Sequence, residues 1–217
     1  MVSMALGVEE QGQDGAHADI LDAAAHCFME RGYNATSIDD VARRLGATKG
    51  RIYHHYPSKA DLFARVCRTA MDMNYAAIEP VRSNELGPVE RWVAMATTHV
   101  AQMIATRPFQ RAVWEGVELM LRGSTTPHQR EILGQLLDYR TQYGNLFREA
   151  ISRGRAEGVF SFDDLGIANQ LSLMTLNSPI FWYSQRPGET ERDRAGIVRQ
   201  VVVCALRGLG GKESATT

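Results

Sequence analysis

Residues 46–59 read GATKGRIYHHYPSK. The segment is rich in basic and aromatic side chains, and neither aspartate nor glutamate interrupts it. The side chains that suit a phosphate backbone are Lys49, Arg51, Tyr53, His55 and Lys59. A short helix of this composition, preceded by a glycine-containing turn, is typical of the second helix of a helix-turn-helix. The segment therefore predicts DNA binding, with this helix in the major groove and phosphates held on both rims.

Helical periodicity on both sides of this segment predicts the remaining helices of a DNA-binding domain. A first helix is expected over residues 18–31, with Gly32 ending it. Its apolar residues recur on one face: Ile20, Leu21, Ala24, Cys27 and Phe28. Thr36 stands three residues before Asp39, which predicts the N-cap of a second helix. Ser58 is expected to open a fourth helix after Pro57 ends the third.

Residues 18–66 resemble the DNA-binding domain of the TetR family of transcriptional regulators. The segments that carry the resemblance are residues 20–24, 28–33, 35–42, 45–50 and 52–62. It implies an all-α fold of about nine helices, with an N-terminal three-helix helix-turn-helix domain and a C-terminal helical domain for ligand binding and dimerisation. The predicted division is a disordered tail (1–16), the DNA-binding domain (17–65), the ligand-binding and dimerisation domain (66–210) and a C-terminal tail (211–217).

The resemblance also implies roles for individual residues of this domain. Tyr53, His55 and Lys59 match family residues that contact phosphate, and Thr36 matches one that donates to phosphate. Arg51 stands where many relatives have a small or neutral residue, so we expect it to determine base preference through a bidentate contact to guanine. The complete predicted DNA-binding set is Thr36, Arg44, Thr48, Lys49, Gly50, Arg51, Tyr53, His54, His55 and Lys59.

Charge is concentrated in this region although the whole chain is nearly neutral. The 217 residues have a formal net charge of −1, whereas residues 43–59 contain five basic residues and no acidic one. Such a local patch favours sequence-selective DNA binding over general binding to polyanions. The three cysteines form no Cys-x-x-Cys pair, which favours reduced thiols and a cytoplasmic location. We expect neither a membrane span nor a signal peptide.

The central helices contain aromatic and methionine side chains with a few polar groups, a composition typical of ligand pockets. The resemblance implies that a cavity among these helices binds a small-molecule effector, although ordinary core packing stays an alternative for each residue. The predicted pocket residues are Trp92, Met95, Met103, Phe109, Trp114, Glu118, Tyr139, Tyr143, Phe147, Met174, Asn177 and Phe181. Residues 176–183 also resemble TetR regulators that respond to acyl-CoA thioesters, which makes such a thioester a candidate effector.

The last two predicted helices are apolar on more than one face, which predicts a partner surface. The predicted interface residues are Leu171, Met174, Val198, Val201, Val202, Ala205, Leu206 and Leu209. Two helices from each subunit would form a four-helix bundle, as in TetR relatives. A two-fold homodimer would read two half-sites of a palindromic operator. The alternative is that both helices are the core of a monomer.

The sequence therefore predicts a ligand-responsive DNA-binding regulator, with repression as the behaviour that the family implies. Effector and operator are expected to oppose each other by shifting the population of two dimer states. An alternative is a TetR-like module that binds a ligand or protein without binding an operator. Catalysis is not expected, because the chain lacks the Glu-x-x-His pairs of a di-iron bundle. We predict no cofactor and no metal site, since the adjacent His54 and His55 lack a third ligand nearby.

Overall fold

The computed structural model describes residues 3–82, 85–123 and 125–211, with side chains from residue 17 onward. This part of the chain is all-α and contains no strand, which confirms the predicted fold class. Its helical segments are α1 (Ser3–Ala35), α2 (Ile38–Leu45), α3 (Lys49–His55), α4 (Lys59–Arg82), α5 (Pro88–Ala105), α6 (Arg107–Arg122), α7 (Pro127–Ala156), α8 (Leu165–Asn177), α9 (Pro179–Trp182) and α10 (Glu191–Gly208). Among them, none is long and apolar enough to cross a membrane.

The N-terminal segment differs from the prediction of a disordered tail. Helix α1 begins at Ser3, so residues 3–16 continue the first helix, and residues 1–2 lie outside the described residues. Gly32 interrupts the helix with φ 76° and ψ 163°, as expected for a glycine that ends it. The predicted C-terminal tail lies outside the described residues except for Gly211.

The cap of α2 lies one residue later than predicted. Ser37, not Thr36, is the N-cap, and its hydroxyl accepts a hydrogen bond from the Asp40 backbone N–H while the Asp40 carboxylate accepts one from the Ser37 backbone N–H. The sequence Thr36-Ser37-Ile38-Asp39-Asp40 contains two overlapping cap patterns, and only the second is used. Its capping box holds the pKa of Asp40 well below the usual range, chiefly through the Ser37 hydrogen bonds.

A break at Ser178 separates α8 from the short α9. Helix α8 ends at Asn177, and Pro179 occupies the first position of the short α9, where its missing N–H costs little. The Thr175 carbonyl accepts a hydrogen bond from the Ser178 N–H at 3.1 Å.

The chain forms two compact units, which we call unit 1 and unit 2. Unit 1 contains the described residues up to Ala70 together with 108–137, and unit 2 contains 71–107 with the described residues from Asp138 onward. Helices α4 and α7 contribute to both. Helices α1–α3 and the start of α4 thus lie in the same unit as α6 and the start of α7. The predicted boundary lay between residues 65 and 66 and enclosed the helix-turn-helix domain alone.

The core of unit 1 is a cluster of aromatic rings beneath the helix-turn-helix. The Phe28 and Phe63 rings meet edge to face with centroids 5.0 Å apart, and the Tyr33 ring lies 4.8 Å from that of Phe63. Gly116 of α6 is needed for close packing here, because a Cβ at this position would lie 2.9 Å from a methyl carbon of Leu136. Aromatic pairs of this geometry stabilise a core beyond the area that they bury.

The core of unit 2 uses one apolar stripe of α10, against which α5 and α8 pack. The stripe is buried within the single chain and consists of Val198, Val201, Val202, Ala205, Leu206 and Leu209. The spacing of these residues is i, i+3, i+4, i+7, i+8 and i+11, which is one helical face. The stripe is therefore already covered within one chain, and Val203, which lies off it, is buried as well. The predicted contact of these six residues with a partner stays a prediction.

We expect Gly154→Ala to destabilise unit 2 by about 1–2 kcal/mol, the lower part of the range for overpacked cores. A Cβ on Gly154 of α7 would lie 2.3 Å from a ring carbon of Phe160, which is itself buried. Chemical denaturation measures the loss. The matched control is Gly134→Ala on the same helix, where a Cβ meets nothing within 4 Å. That change should stabilise the protein slightly, by up to about 1 kcal/mol, and equal effects of both changes would contradict the assignment.

Candidate nucleic-acid interface

Two buried side chains anchor the short helix α3 to unit 1. Ile52 is fully buried and Tyr56 is nearly so. The preceding turn depends on Gly46, whose φ of 68° is left-handed, and whose N–H donates to the Arg43 carbonyl at 3.2 Å. A helix held in this way presents its opposite face at a defined angle, as a recognition helix requires.

The residues on the free side of α3 are exposed. They are Lys49, Gly50, Arg51, Tyr53 and His54, with Thr48 exposed at the N-cap position. The Thr48 hydroxyl makes no capping hydrogen bond, and 49% of Tyr53 is accessible. These positions match the predicted DNA-binding set. Their contacts with DNA stay a prediction.

Ion pairs neutralise more of this surface than the sequence suggested. Arg43 lies 3.0 Å from Asp40, Arg44 lies 2.8 Å from Glu30, and Lys49 lies 3.6 Å from Asp39. All three acids precede the segment 43–59, so counting charges within that segment missed them. Such exposed pairs contribute little to stability and exchange readily for phosphates.

Arg51 differs from these neighbours. It is exposed, and within the part of the chain that the structure describes it forms no ion pair with an acid. Its five guanidinium donors therefore stay available in the free protein. This supports the prediction that Arg51 reads a base.

His55 is half-buried because it packs on a residue that sequence analysis did not assign to the site. The rings of His17 and His55 have centroids 4.3 Å apart, and His17 Nδ1 lies 3.1 Å from the Tyr56 hydroxyl. The pKa of His55 is lowered by burial first, and then by the charges of His17, His54 and Arg51. His17 stands at the start of α1's periodic stretch, and its neighbours gave no sequence signal of this contact.

Two side chains that the sequence predicts to contact phosphate donate hydrogen bonds within the protein. The Lys59 ammonium donates to the carbonyls of Tyr33 and Thr36 at 2.8 and 2.9 Å, and it stands 4.4 Å from the centre of the Tyr33 ring. The Thr36 hydroxyl is buried and donates to the Gly32 carbonyl at 2.7 Å. In the free protein these donors satisfy the carbonyls at the end of α1, and the phosphate contacts of Lys59 and Thr36 stay predictions.

Glu115 of α6 also binds the end of α1. Its carboxylate accepts a hydrogen bond from the Tyr33 N–H, and burial is the main cause of its raised pKa. Lys59 has a lowered pKa, mainly because it is partly buried, with Glu115 acting in the opposite direction. The end of α1 is thus held by a cation from α4 and a carboxylate from α6. An acid within an apolar stretch of helix was the only sequence signal for this role.

The predicted pocket residues are divided between the two units. Phe109, Trp114 and Glu118 belong to unit 1, where the Trp114 indole N–H donates to Glu118 at 3.1 Å. The other nine belong to unit 2: Trp92, Met95, Met103, Tyr143 and Phe147 are buried, Tyr139 and Asn177 are half-buried, and Met174 and Phe181 are exposed. A groove of about 590 Å³ between α5 and α10 is lined by none of the twelve.

The two remaining predicted interface residues do lie on an open surface. Leu171 and Met174 of α8 are 63% and 37% exposed, in line with Ile167 at 62%. Phe181 and Trp182 of α9 are also exposed. We call these five residues the α8–α9 stripe. An apolar patch of this kind is uncommon on a protein surface unless something covers it.

The pair α2 and α3, joined at Gly46 and presenting a basic and aromatic face, defines a helix-turn-helix DNA-binding protein. Residues 20–66 match bacterial regulatory proteins of the tetR family, and residues 85–209 match the tetracyclin repressor-like C-terminal domain. The chain belongs to the tetR family of transcription regulators.

Individual relatives agree with this assignment. The transcriptional repressor KstR2 of Rhodococcus jostii is 24% identical over 181 residues, which cover 83% of this chain and 84% of that protein. A tetR-family regulatory protein from Rhodococcus RHA1 superposes with a TM-score of 0.76 at 25% identity, covering 91% of this chain and 98% of that one. AibR, solved in complex with isovaleryl coenzyme A and operator DNA, superposes with a TM-score of 0.67 at 21% identity over 85% of this chain and 97% of its own.

Proposed function

We propose that this chain is a ligand-responsive repressor that binds a palindromic operator as a dimer, with α3 of each subunit in the major groove. The observation that carries the proposal is the exposed face of α3, where Arg51 is unpaired among the described residues and Lys49 is only loosely paired. The similarity to the repressor KstR2 supports repression. Two copies are needed because one helix of this length reads too few base pairs to specify a site.

Selection of sheared genomic DNA on the purified protein tests this function. The matched control is a variant with Lys49→Met and Arg51→Ala, which removes two exposed cations of α3 and no buried contact. Enrichment of a palindromic site by the wild type alone is the expected result. Equal enrichment by both proteins, or enrichment of no site at moderate salt, would favour a module that does not bind an operator.

We expect operator affinity to rise as the pH falls from about 8 to about 6, either side of the ordinary pKa of histidine. The pKa of His55 is lowered in the free protein. A phosphate at this position would raise it, so binding takes up a proton and affinity changes by up to about tenfold per pH unit for each such proton. His55→Gln should flatten the profile in fluorescence anisotropy. The matched control is His26→Gln on α1, which should keep the wild-type slope.

At His55, folding stability and operator affinity change in opposite directions as the pH falls. Because the folded pKa of His55 lies below the unfolded one, the unfolded state binds more protons, and the stability contributed by neutral His55 falls as the pH drops through the ordinary pKa of histidine. Affinity must therefore be measured where circular dichroism shows a folded protein. A wild-type affinity that does not change with pH would contradict the phosphate contact.

The proposed dimer is built on the α8–α9 stripe. Leu171 is 63% exposed and belongs to this stripe, so Leu171→Glu should place a charge in a desolvated contact and raise the dimer dissociation constant tenfold or more. Sedimentation velocity measures the change. Leu121→Glu on α6 is the matched control, since Leu121 is 79% exposed and lies outside the stripe. Loss of the dimer in both variants, or in neither, would contradict this interface.

We place the effector site in unit 2, where most of the predicted pocket residues lie. An acyl-CoA thioester is the candidate class, and the structure of AibR with isovaleryl coenzyme A supports it. Effector and operator should oppose each other with a coupling of about 1–3 kcal/mol. A compound that binds unit 2 but leaves operator affinity unchanged would contradict this part of the proposal.

A further inference from the structure

A histidine from the first helix contacts the end of the recognition helix. His17 of α1 is half-buried, and its ring meets that of His55, the last residue of α3, edge to face with centroids 4.3 Å apart. Its Nδ1 lies 3.1 Å from the hydroxyl of Tyr56. His17 therefore connects the first helix to the part of α3 that the sequence predicts to contact phosphate.

Tyr56 provides a fixed anchor for this histidine. Its side chain is 6% exposed, and burial raises the pKa of its phenol against the smaller opposing effect of Arg65, so the hydroxyl keeps its proton at neutral pH. A phenol can donate to the Nδ1 of a neutral imidazole or accept from the Nδ1–H of a charged one. The hydrogen bond to His17 is therefore compatible with both charge states of that ring.

The anchored ring restricts the imidazole of His55. Three rings lie around this imidazole, those of His17, His54 and Tyr56, with centroids 4.3, 5.1 and 6.4 Å away. A side chain at the end of an exposed helix otherwise samples several rotamers, and ordering such a side chain on binding costs affinity. The packing thus fixes the direction of the His55 ring before any partner binds.

The charged groups that face His55 are all basic. They are His17 from α1, with His54 and Arg51 from α3. Burial is the first cause of the lowered pKa of His55, and the charges of His17, His54 and Arg51 add to it in that order. A phosphate beside the ring would oppose this repulsion and would accept a charge-assisted hydrogen bond from it.

We propose that His17 is a positioning residue for DNA binding: held by Tyr56, it fixes the imidazole of His55 in the orientation that meets a phosphate of the DNA backbone. Orientation matters because a hydrogen bond weakens steeply when its donor points away from the acceptor. This role rests on the proposed function, since the phosphate belongs to DNA. It adds to that function a residue of α1 whose own side chain need not touch DNA.

Two substitutions separate the ring contact from the hydrogen bond. His17→Phe keeps a ring beside His55 but cannot bond to Tyr56, whereas His17→Asn keeps a polar atom near the position of Nδ1 and removes the ring. The probe is a fluorescein-labelled duplex of random sequence at low salt, because a phosphate contact does not depend on base sequence.

Both variants should bind this duplex about threefold to tenfold more weakly than the wild type at about pH 6, where a bound phosphate keeps His55 charged. At about pH 8 the loss should be small, so the pH profile becomes flatter. The matched control is His26→Asn on the same helix, since His26 pairs only loosely with Asp22 of α1 at 3.9 Å. It should keep the wild-type profile.

The pKa of His55 in the free protein is a second readout, which a merely structural role of His17 would not move. Titration of the imidazole resonances gives this pKa, with His55 assigned from the spectrum of His55→Gln. It should rise in His17→Asn, which loses the covering ring and the like charge, and rise less in His17→Phe, which loses the charge alone. Tyr56→Phe removes only the anchoring hydroxyl, and it should weaken binding at about pH 6 even if a variant at residue 17 does not fold.

Unchanged affinity in both His17 variants, with the wild type still binding, would overturn this inference alone. A loss of affinity with an unchanged His55 pKa would mean that His17 itself meets the phosphate, which would also overturn the positioning role. A wild-type protein that binds neither the random duplex nor any selected palindrome would refute the proposed function, and the role of His17 in DNA binding with it.

Discussion

Lys59→Met should lower the free energy of unfolding by about 2–4 kcal/mol and leave the salt dependence of DNA binding unchanged. The ammonium group donates to the carbonyls of Tyr33, Asn34 and Thr36, and a hydrogen bond to a charged group contributes about 1.5–3 kcal/mol net, less where the group is partly exposed. Methionine keeps most of the aliphatic volume and removes all three. Urea denaturation gives the stability, and anisotropy titrations at several salt concentrations give the slope.

The same substitution at Lys49 should have the opposite effects, on DNA binding and not on stability. Lys49 is exposed, and its substitution would remove only a loose ion pair with Asp39, whose carboxylate lies 3.6 Å from the ammonium. The free energy of unfolding should therefore change little. If Lys49 lies on a phosphate, the logarithmic salt slope of binding should fall by about one unit. A fall in slope for Lys59→Met with unchanged stability would restore the phosphate role that the sequence predicted and would contradict the internal one.

Lys59 illustrates where sequence reasoning reaches its limit. A lysine at the start of a helix, near a basic recognition helix, has the same sequence signature whether its ammonium meets a phosphate or a carbonyl. The choice depends on where the end of α1 lies in space. Glu115 is 82 residues from Tyr33, a separation that no local pattern can reveal.

Local sequence patterns predicted the structure more reliably where the chemistry of one residue determines the backbone conformation. Gly32 and Gly46 both adopt left-handed φ values at the predicted ends of helices, because other residues adopt that conformation only at a cost. The sequence indicated more than one apolar face on the last helix, and α10 buries Val203 in addition to its main stripe. Periodicity measures the direction of a face, and burial depends on which helices cover it.

His99, a buried histidine of α5, was missed for a related reason. It stands within an otherwise small and apolar run of α5, where a single histidine is usually an ordinary core residue. Its partner is Tyr143, 44 residues later on α7, whose hydroxyl lies 2.9 Å from the Nδ1 of His99. Two predicted pocket residues, Tyr143 and Phe147, lie beside it.

Arg51→Ala should relax operator preference at one base position by about 1–3 kcal/mol while leaving the fold intact. The side chain is exposed and has no ion pair among the described residues, so its removal leaves no buried group unsatisfied. The expected contact is bidentate, from the guanidinium to O6 and N7 of a guanine, and alanine removes both hydrogen bonds. Selection from a random library, followed by sequencing, shows the change as a loss of information at one position of each half-site.

Arg44→Ala separates this effect from a general loss of positive charge. Arg44 pairs with Glu30 at 2.8 Å, so its removal also frees an acid beside the DNA. Affinity should fall for all sequences together, with the preferred bases unchanged, because a phosphate contact positions the protein without reading sequence. If Arg51→Ala gave this uniform loss instead, Arg51 would be a backbone contact. Base preference would then depend on Thr48, Tyr53 or the shape of the operator, which the exposed face of α3 would read indirectly.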